Sequence, residues 1–235
     1  MRLAFGSLFL IISLAHVLYA GPLPGPPKIN IPVADGFDYP VAKPNAVGYY
    51  KSRGWFKYHP GEDWVSVNHA ILLGAPVYSI GIGLVVFTRN APGGWGNVII
   101  IRHAYYEENQ IHYIDSFYAH LRRVLVKEGQ FVEKGQQIGE IGTNRGMYRP
   151  HLHFEIRKNL LIGINRSGYQ RNFNNYWIPT RFIEANRQLK KSSHHVLAPW
   201  GTFEFQTEFS FPIDESQIHR RTKATASHKK ISAAG

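Results

Sequence analysis

His151-Leu152-His153-Phe154-Glu155 is the stretch from which the rest of the sequence can be interpreted. Successive side chains of a β-strand point to opposite faces, so His151, His153 and Glu155 would share one face. Leu152 and Phe154 would share the other face, which predicts packing against a core. The histidine face predicts a surface that is either wet or metal-bound. Two imidazoles held side by side on a rigid strand supply half of a metal site, so further ligands have to come from elsewhere in the chain.

Two upstream segments offer those ligands. The segment 59–63 (His-Pro-Gly-Glu-Asp) contains an imidazole and a carboxylate, and Gly61 is expected to let the backbone bend so that both side chains face one point. The segment 118–121 (Tyr-Ala-His-Leu) adds an isolated histidine. Each pattern alone is common on surface strands and turns. Their combination, in this order along one chain, indicates a shared site.

The donor set favours zinc in a catalytic setting. His59, Asp63 and His153 would supply three nitrogen and oxygen ligands and leave a fourth position open for water. Zinc there would polarise a carbonyl and activate the water. His120 and His151 would then move protons or stabilise a developing oxyanion. A further histidine, His103, ends a buried strand and is expected to support the ligands or to orient a loop.

Composition narrows the class of protein. The chain has 235 residues, enough for one domain with appendages, and it contains no cysteine. This excludes disulfides, thiolate ligands and a cysteine nucleophile, so any zinc site must use nitrogen and oxygen ligands. The formal net charge of +11 favours an acidic polymer or surface as partner. Neither a helical His-Glu-x-x-His motif nor a Gly-x-Ser-x-Gly elbow occurs.

The sequence predicts four regions. Residues 1–20 have a positive start, an apolar run and a small residue at Ala20, which predicts a cleaved signal peptide; a retained membrane anchor is the alternative. Residues 21–49 are rich in proline and predict a linker or wrapping arm. Residues 50–190 form the predicted catalytic domain. Residues 191–235 form an extension with one amphipathic strand at 202–211 and a basic, disordered tail.

The sequence of the domain predicts many short strands separated by glycine turns, and a short helix that starts at Pro179. No long stretch has helical periodicity. We therefore expect a mainly β fold, an antiparallel sheet or sandwich with short helical or irregular additions. The predicted strands are 76–80, 83–87, 97–103, 114–120, 124–126, 131–132, 137–141 and the histidine strand itself.

These motifs resemble those of the LytM/lysostaphin-type zinc metallopeptidases, the M23 peptidase family. The resemblance covers about half of the chain and is carried by the segments 59–63, 74–78, 94–98, 118–121, 126–130, 135–136 and 151–155. It implies the family's antiparallel sheet (the duplicated hybrid motif) and hydrolysis of peptide bonds in peptidoglycan. It also implies His59, Asp63 and His153 as ligands of one Zn²⁺ per chain. His120 and His151 would be the catalytic pair.

One loop departs from the family's usual pattern. Members commonly have a small-residue stretch with Gly-Pro before the histidine strand, whereas residues 143–150 are bulky and carry Arg145 and Arg149. These arginines would either bind carboxylates of the stem peptide or be solvated. Some family members have lost ligands and act without catalysis. A cell-wall-binding or amidase-activating module of the same fold is therefore the alternative function, although all five site positions are present here.

The resulting hypothesis is an exported zinc endopeptidase, periplasmic or secreted from a bacterium, that cuts stem or cross-bridge peptides of peptidoglycan. The basic surface would hold it near anionic wall polymer or the outer-membrane surface. Nucleic acid is not an expected partner, despite the basic and aromatic residues at 49–58. The segment 126–135 also resembles a biotinyl-carrier hairpin with Lys134 at its tip, but the expected flanking methionines are absent.

Overall fold

A mainly antiparallel β fold carries the predicted site residues in the computed structural model, which describes residues 27–53, 59–68, 72–164 and 174–200. The prediction of this fold class is confirmed. Within the described residues the elements, in chain order, are β1 Lys28–Pro32, β2 Tyr49–Arg53, β3 Glu62–Ser66, β4 Pro76–Tyr78, β5 Gly83–Ala91, β6 Gly96–Glu107, β7 Gln110–Val124, β8 Phe131–Val132, β9 Gln137–Ile141, β10 Leu152–Arg157, β11 Tyr176–Trp177, α1 Pro179–Ala185 and β12 His195–Pro199.

The main sheet has the strand order β2-β3-β10-β7-β6-β5-β8, with β11 on β10 and with β4 and β9 attached through β7. The histidine strand β10 therefore lies between β3 and β7, and it is antiparallel to both. In this register His153 lies opposite Asp63 of β3 on one side and opposite Ala119 of β7 on the other. Strand pairing alone thus brings the three predicted motifs to one place in the sheet.

The two faces of β10 pack into two different layers. Leu152 and Phe154 lie in the larger hydrophobic core, as the alternation predicted. The histidine face is not wet: His153 is 3% exposed and Glu155 is fully buried. Phe117 of β7 covers this face, with its ring centroid 6.0 Å from that of His153. Burial therefore excludes the wet alternative for His153 and Glu155.

A second, two-stranded sheet formed by β1 and β12 packs on the outer face of the main sheet. Ile31 of β1 and Ala198 of β12 lie in a hydrophobic cluster with residues of β5, β6 and β7. Arg102 of β6 is fully buried and donates to the carbonyl of Pro199 at the end of β12. The proline-rich segment that contains β1 and the end of the described chain thus both pack against the domain.

The short helix α1 begins with Pro179 at its first position, where proline has no hydrogen bond to lose. This agrees with the predicted start. Phe182 and Ile183 are buried in the larger core. Thr180 Oγ1 donates to Glu62 Oε2 over 2.7 Å, which links the helix to β3, the strand that also carries Asp63.

Several predicted segments lie outside the described residues. They are the signal peptide at 1–20, the amphipathic strand at 202–211 and the tail that follows it. In the part of the chain that is described, no helix combines the length and the apolar character needed to cross a membrane.

His103 has a structural position in β6. Its Nδ1 lies 2.9 Å from the carbonyl oxygen of Ile82, and its Nε2 lies 2.8 Å from Ser116 Oγ. The ring also packs edge-on against Phe37 at 5.6 Å. Of the two roles that the sequence left open, these contacts favour the orientation of a loop, here the turn before β5.

Burial lowers the pKa of His103 to about 4, although the hydrogen bond to Ile82 opposes the shift. An unfolded chain takes up this proton near pH 6.5 and the folded chain does not, so stability is lost as pH falls from about 6.5 to about 4. We expect the free energy of unfolding of His103→Gln to fall less steeply in this window, by up to about 1.4 kcal/mol per pH unit. Chemical denaturation at several pH values, with and without a chelator, measures this. Equal slopes for the variant and the wild type would contradict it.

Candidate metal centre

Three candidate ligands converge where β3 meets β10. The ligating atoms of His59, Asp63 and His153 all lie within 4.8 Å of one another. Asp63 and His153 face each other through the strand register, and His59 reaches them from the turn that leads into β3. Asp63 and His153 are buried, and His59 is partly buried. Residues that are 90 positions apart in the chain therefore form a compact cluster of nitrogen and oxygen donors.

In each imidazole of the cluster, one ring nitrogen faces Asp63 and the other is held by a hydrogen bond to a different acceptor. The Nδ1–H of His59 donates to the carbonyl of Gly61 over 2.8 Å, and Nε2 lies 3.1 Å from Asp63 Oδ1. The Nε2–H of His153 donates to Glu155 Oε1 over 2.8 Å, and Nδ1 lies 3.0 Å from the same Asp63 oxygen. When His59 keeps its proton on Nδ1 and His153 keeps its proton on Nε2, the lone pairs of the two remaining nitrogens point at the same Asp63 oxygen. This arrangement needs a cation or an additional proton to be stable.

Electrostatics of the two central residues agree with that requirement. Burial would raise the pKa of Asp63, but the hydrogen bonds with His153 and His59 outweigh it and lower the pKa well below the usual range. Burial would lower the pKa of His153, whereas hydrogen bonds with Asp63 and Glu155 raise it to about 9. Without a metal, a proton on His153 thus compensates the carboxylates. A divalent cation bound by two imidazoles and one carboxylate would replace it, and this donor set fits zinc.

Gly61 lies at a bend of the backbone, as predicted, and the structure adds a second reason for glycine at this position. A Cβ at this position would lie 2.3 Å from the carbonyl oxygen of Phe154 and 2.7 Å from Glu155 Cγ. The glycine therefore allows close approach of the His59 turn to β10, and its own carbonyl holds His59. Glycine is needed here because a hydrogen atom fits where a methyl group would clash, and not because the residue has a positive φ.

We expect Gly61→Ala to displace the turn, to cost about 1–3 kcal/mol of stability through overpacking, and to weaken metal binding because His59 moves with the turn. Chelator competition and thermal unfolding of the variant and the wild type measure both effects. An unchanged metal affinity in Gly61→Ala would show that the close approach does not position His59.

His120 lies beside the cluster in a strained backbone conformation. Its φ is +62°, a left-handed conformation that is uncommon for residues other than glycine. Its backbone N–H and its ring Nδ1–H both donate to the carbonyl of Trp95, over 2.9 and 3.0 Å. Burial and the neighbouring His153 and His151 lower the pKa of His120 to about 3. The ring is therefore neutral, with an unprotonated Nε2 that can accept a proton, and such strain is often found at functional sites.

His151 is the second histidine next to the cluster. Its Nδ1–H donates to the carbonyl of Arg149 over 2.7 Å, and its Nε2 lies 3.7 Å from Asp63 Oδ1. A single bridge to Gly142 anchors the backbone at this point. Burial lowers the pKa of His151, so this ring is also biased toward the neutral form. The ring centroids of His120 and His151 are 4.8 Å apart, which makes them a contiguous pair.

Sequence reasoning missed two further residues at the site. Tyr148, in the loop that departs from the family pattern, has its ring 4.7 Å from that of His120 and 5.8 Å from that of His151. Trp95 holds His120 through its carbonyl and lies 5.2 Å from the ring of His153. Tyr148 stands three residues before His151 in the sequence, and this proximity could have indicated that it belongs to the site. No such local signal exists for Trp95, because its contacts depend on how the strands pair.

The structure also gives partners for the loop arginines. The side chain of Arg145 donates to Asn90 Oδ1, and Asn90 Nδ2 in turn donates to Asn97 Oδ1 over 2.8 Å. The backbone carbonyl of Arg149 holds His151, and its side chain is exposed. Arg145 therefore docks the loop onto the main sheet, and Arg149 orients a site histidine through its backbone.

Comparison with known proteins places this site in a family. The sequence profile described as "Peptidase family M23" matches residues 57–165. Lipoprotein NlpD of Yersinia enterocolitica is 40% identical over 84 residues, which are 36% of this chain and 78% of that protein. The chain belongs to peptidase family M23. The matched segment of this M23 chain contains the three candidate ligands, His120 and His151.

Other relatives are longer proteins. Peptidoglycan DD-endopeptidase ShyA of Vibrio cholerae is 40% identical over 98 residues, which are 42% of this M23 chain and 20% of ShyA. The chain thus spans about a fifth of that relative. Among solved structures, the catalytic domain of the antimicrobial peptidase lysostaphin from Staphylococcus simulans is 26% identical, with coverage of 59% of this chain and 95% of that chain and a TM-score of 0.45.

Proposed function

We propose that this M23 chain is an exported zinc endopeptidase that hydrolyses peptide bonds in the stem or cross-bridge peptides of peptidoglycan. The observation that carries the proposal is the convergence of His59, Asp63 and His153 beside the neutral pair His120 and His151. The similarity to ShyA, a peptidoglycan DD-endopeptidase, supports the substrate class. The catalytic domain would comprise residues 50–190.

Zn²⁺ held by His59, Asp63 and His153 would act as a Lewis acid that polarises the scissile carbonyl and activates water. The protein side chains would transfer the proton and stabilise the developing charge. His120 and His151 each have Nδ1–H fixed on a backbone carbonyl, which leaves Nε2 of each ring available toward the cluster. One of them would take a proton from the attacking water. That proton would pass to the amine that leaves. The other ring, whose Nδ1–H is held by a backbone carbonyl, would take up a proton on Nε2 and donate it as a hydrogen bond to the negative charge that develops on the carbonyl oxygen.

The surroundings of this pair suit these roles. Trp95 and Tyr148 pack against the ring of His120, which is buried, and burial strengthens electrostatic interactions within the site. Burial lowers the pKa of His120 to about 3 and also lowers the pKa of His151, so both rings are unprotonated at neutral pH and Nε2 of each ring carries a free lone pair. General acid–base groups of this kind typically contribute about 10²–10⁴ in rate.

The net charge of +11 supports a location close to anionic wall polymer or the outer-membrane surface. The relative named Lipoprotein NlpD is compatible with an exported protein, and the signal peptide at 1–20 would direct the export. Electrostatic retention of this kind would weaken as the salt concentration rises.

The direct test is digestion of purified muropeptides by the wild-type protein, with the products identified by mass spectrometry. We expect new products that result from cleavage of peptide bonds, their loss in the presence of a chelator, and their return when zinc is restored. Wall binding without any cleavage in the zinc-loaded protein would contradict the proposal and would favour the non-catalytic wall-binding or activating module.

A further inference from the structure

Three charged side chains form a buried chain along one face of β10. His153, Glu155 and Arg157 alternate with core residues and therefore share a face; we call them the β10 charge chain. His153 Nε2–H donates to Glu155 Oε1 over 2.8 Å, and Arg157 Nε donates to Glu155 Oε2 over 2.7 Å. Arg157 Nη1 donates to the carbonyl of Gly163 over 2.7 Å. All three residues are at most 3% exposed.

A second buried carboxylate in the same sheet shows what a purely structural pair looks like. Arg102 of β6 meets both oxygens of Asp115 of β7, with Nε 2.8 Å from Oδ1 and Nη2 2.7 Å from Oδ2. This bidentate geometry satisfies carboxylate and guanidinium together. In the β10 charge chain, by contrast, the two oxygens of Glu155 face different partners, the guanidinium on one side and the imidazole of a candidate ligand on the other.

The position of Arg157 is itself fixed. Its guanidinium carbon lies 4.0 Å from the ring centroid of Phe117, the residue that also covers His153. Together with the bond to Gly163, this contact prevents Arg157 from rotating away from Glu155. The orientation of the His153 ring is thus set by Glu155, which is held by Arg157, which in turn is held by the carbonyl of Gly163 in the loop after β10.

We propose that Glu155 and Arg157 are positioning residues that set the metal affinity of the site. Glu155 fixes the proton of His153 on Nε2, so that Nδ1 is the nitrogen presented to the metal, and Arg157 holds Glu155 in place. Carboxylate partners of this kind raise the basicity of an imidazole ligand, and their removal typically weakens metal binding about 10–100-fold. This inference rests on the proposed function, because it concerns the zinc that the proposed function requires.

The test compares the zinc affinities of Glu155→Gln, His103→Gln and the wild type by competition with a chromophoric chelator. We expect Glu155→Gln to bind zinc about 10–100-fold more weakly, because the amide removes the charge and disturbs the bond to Nε2. His103→Gln is the control, since it disturbs fully buried hydrogen bonds, with Ile82 and Ser116, that involve neither a candidate ligand nor the β10 charge chain. It should lose stability and keep wild-type zinc affinity. Arg157→Gln should weaken zinc binding although it contacts no ligand.

A measurement on the unmodified protein covers the case in which these variants do not fold. In nitrogen-15 NMR of the zinc-loaded wild type, His153 should carry its proton on Nε2 and none on Nδ1. The opposite tautomer, or a folded Glu155→Gln with wild-type zinc affinity, would overturn the inference alone. A wild-type protein that binds no zinc would overturn the proposed function together with it.

Discussion

His153→Ala should purify without stoichiometric zinc and should hydrolyse no peptide bond above background. The reason is geometric, because Nδ1 of His153 and Nε2 of His59 face the same Asp63 oxygen and the cluster loses one of three donors. The substitution also leaves the carboxylates of Asp63 and Glu155 buried without the imidazole that lies between them. Removal of one partner from a buried charged set costs about 3–5 kcal/mol, so lower stability is expected as well. Metal analysis, muropeptide digestion and thermal unfolding measure the three effects.

His194→Ala is the matched control for this variant. His194 is exposed, and its described contacts are with Ser192 and Val33 rather than with the metal cluster. It should retain one zinc per chain and wild-type turnover. If folded His153→Ala still bound one zinc per chain and cleaved muropeptides, the assignment of His153 as a ligand would be wrong.

His120→Asn should keep zinc and lose turnover by about 10²–10⁴, the usual contribution of a general acid–base group. Asparagine is preferred to alanine because it tolerates the left-handed backbone conformation that His120 adopts. The three donors of the cluster stay intact, and asparagine has no nitrogen that can accept a proton at neutral pH. Single-turnover kinetics on a defined muropeptide, together with metal analysis of the same sample, separates chemistry from metal loading.

His112→Ala provides the comparison for that experiment. His112 lies on the same strand, β7, but contacts Tyr105 rather than the cluster. It should cleave at the wild-type rate. Wild-type turnover by folded His120→Asn would remove His120 from the mechanism and leave His151 as the single candidate base.

Much of this site could be predicted from the sequence, because its ligands lie on short, regular elements. A strand imposes alternation, so His153 and Phe154 had to point to opposite faces, and the observed core follows that pattern. The order of the motifs and the nitrogen and oxygen donor set then indicated one site. The residue patterns indicated that the two segments share a site. The way they meet, by pairing of β3 with β10 so that Asp63 lies opposite His153, is given by the strand register of the structure.

Other features depended on contacts that no local pattern encodes. The burial of the histidine face results from Phe117 on a neighbouring strand, so an alternating strand alone could not exclude a wet surface. The sequence predicted the bend at Gly61, but the close approach of this turn to Phe154 is a tertiary contact that no local pattern shows. The link from Glu155 to Arg157 and the carbonyl of Gly163 likewise arises from tertiary packing.

The most direct test of the central claim is a crystal structure of the purified protein with anomalous data collected at the zinc absorption edge. We predict one zinc peak per chain, bonded to His59 Nε2, Asp63 and His153 Nδ1, with His120 and His151 close by but not bonded to it. A peak bonded to other residues, or a coordination sphere closed by a fourth protein ligand, would contradict the proposal of a hydrolytic zinc centre.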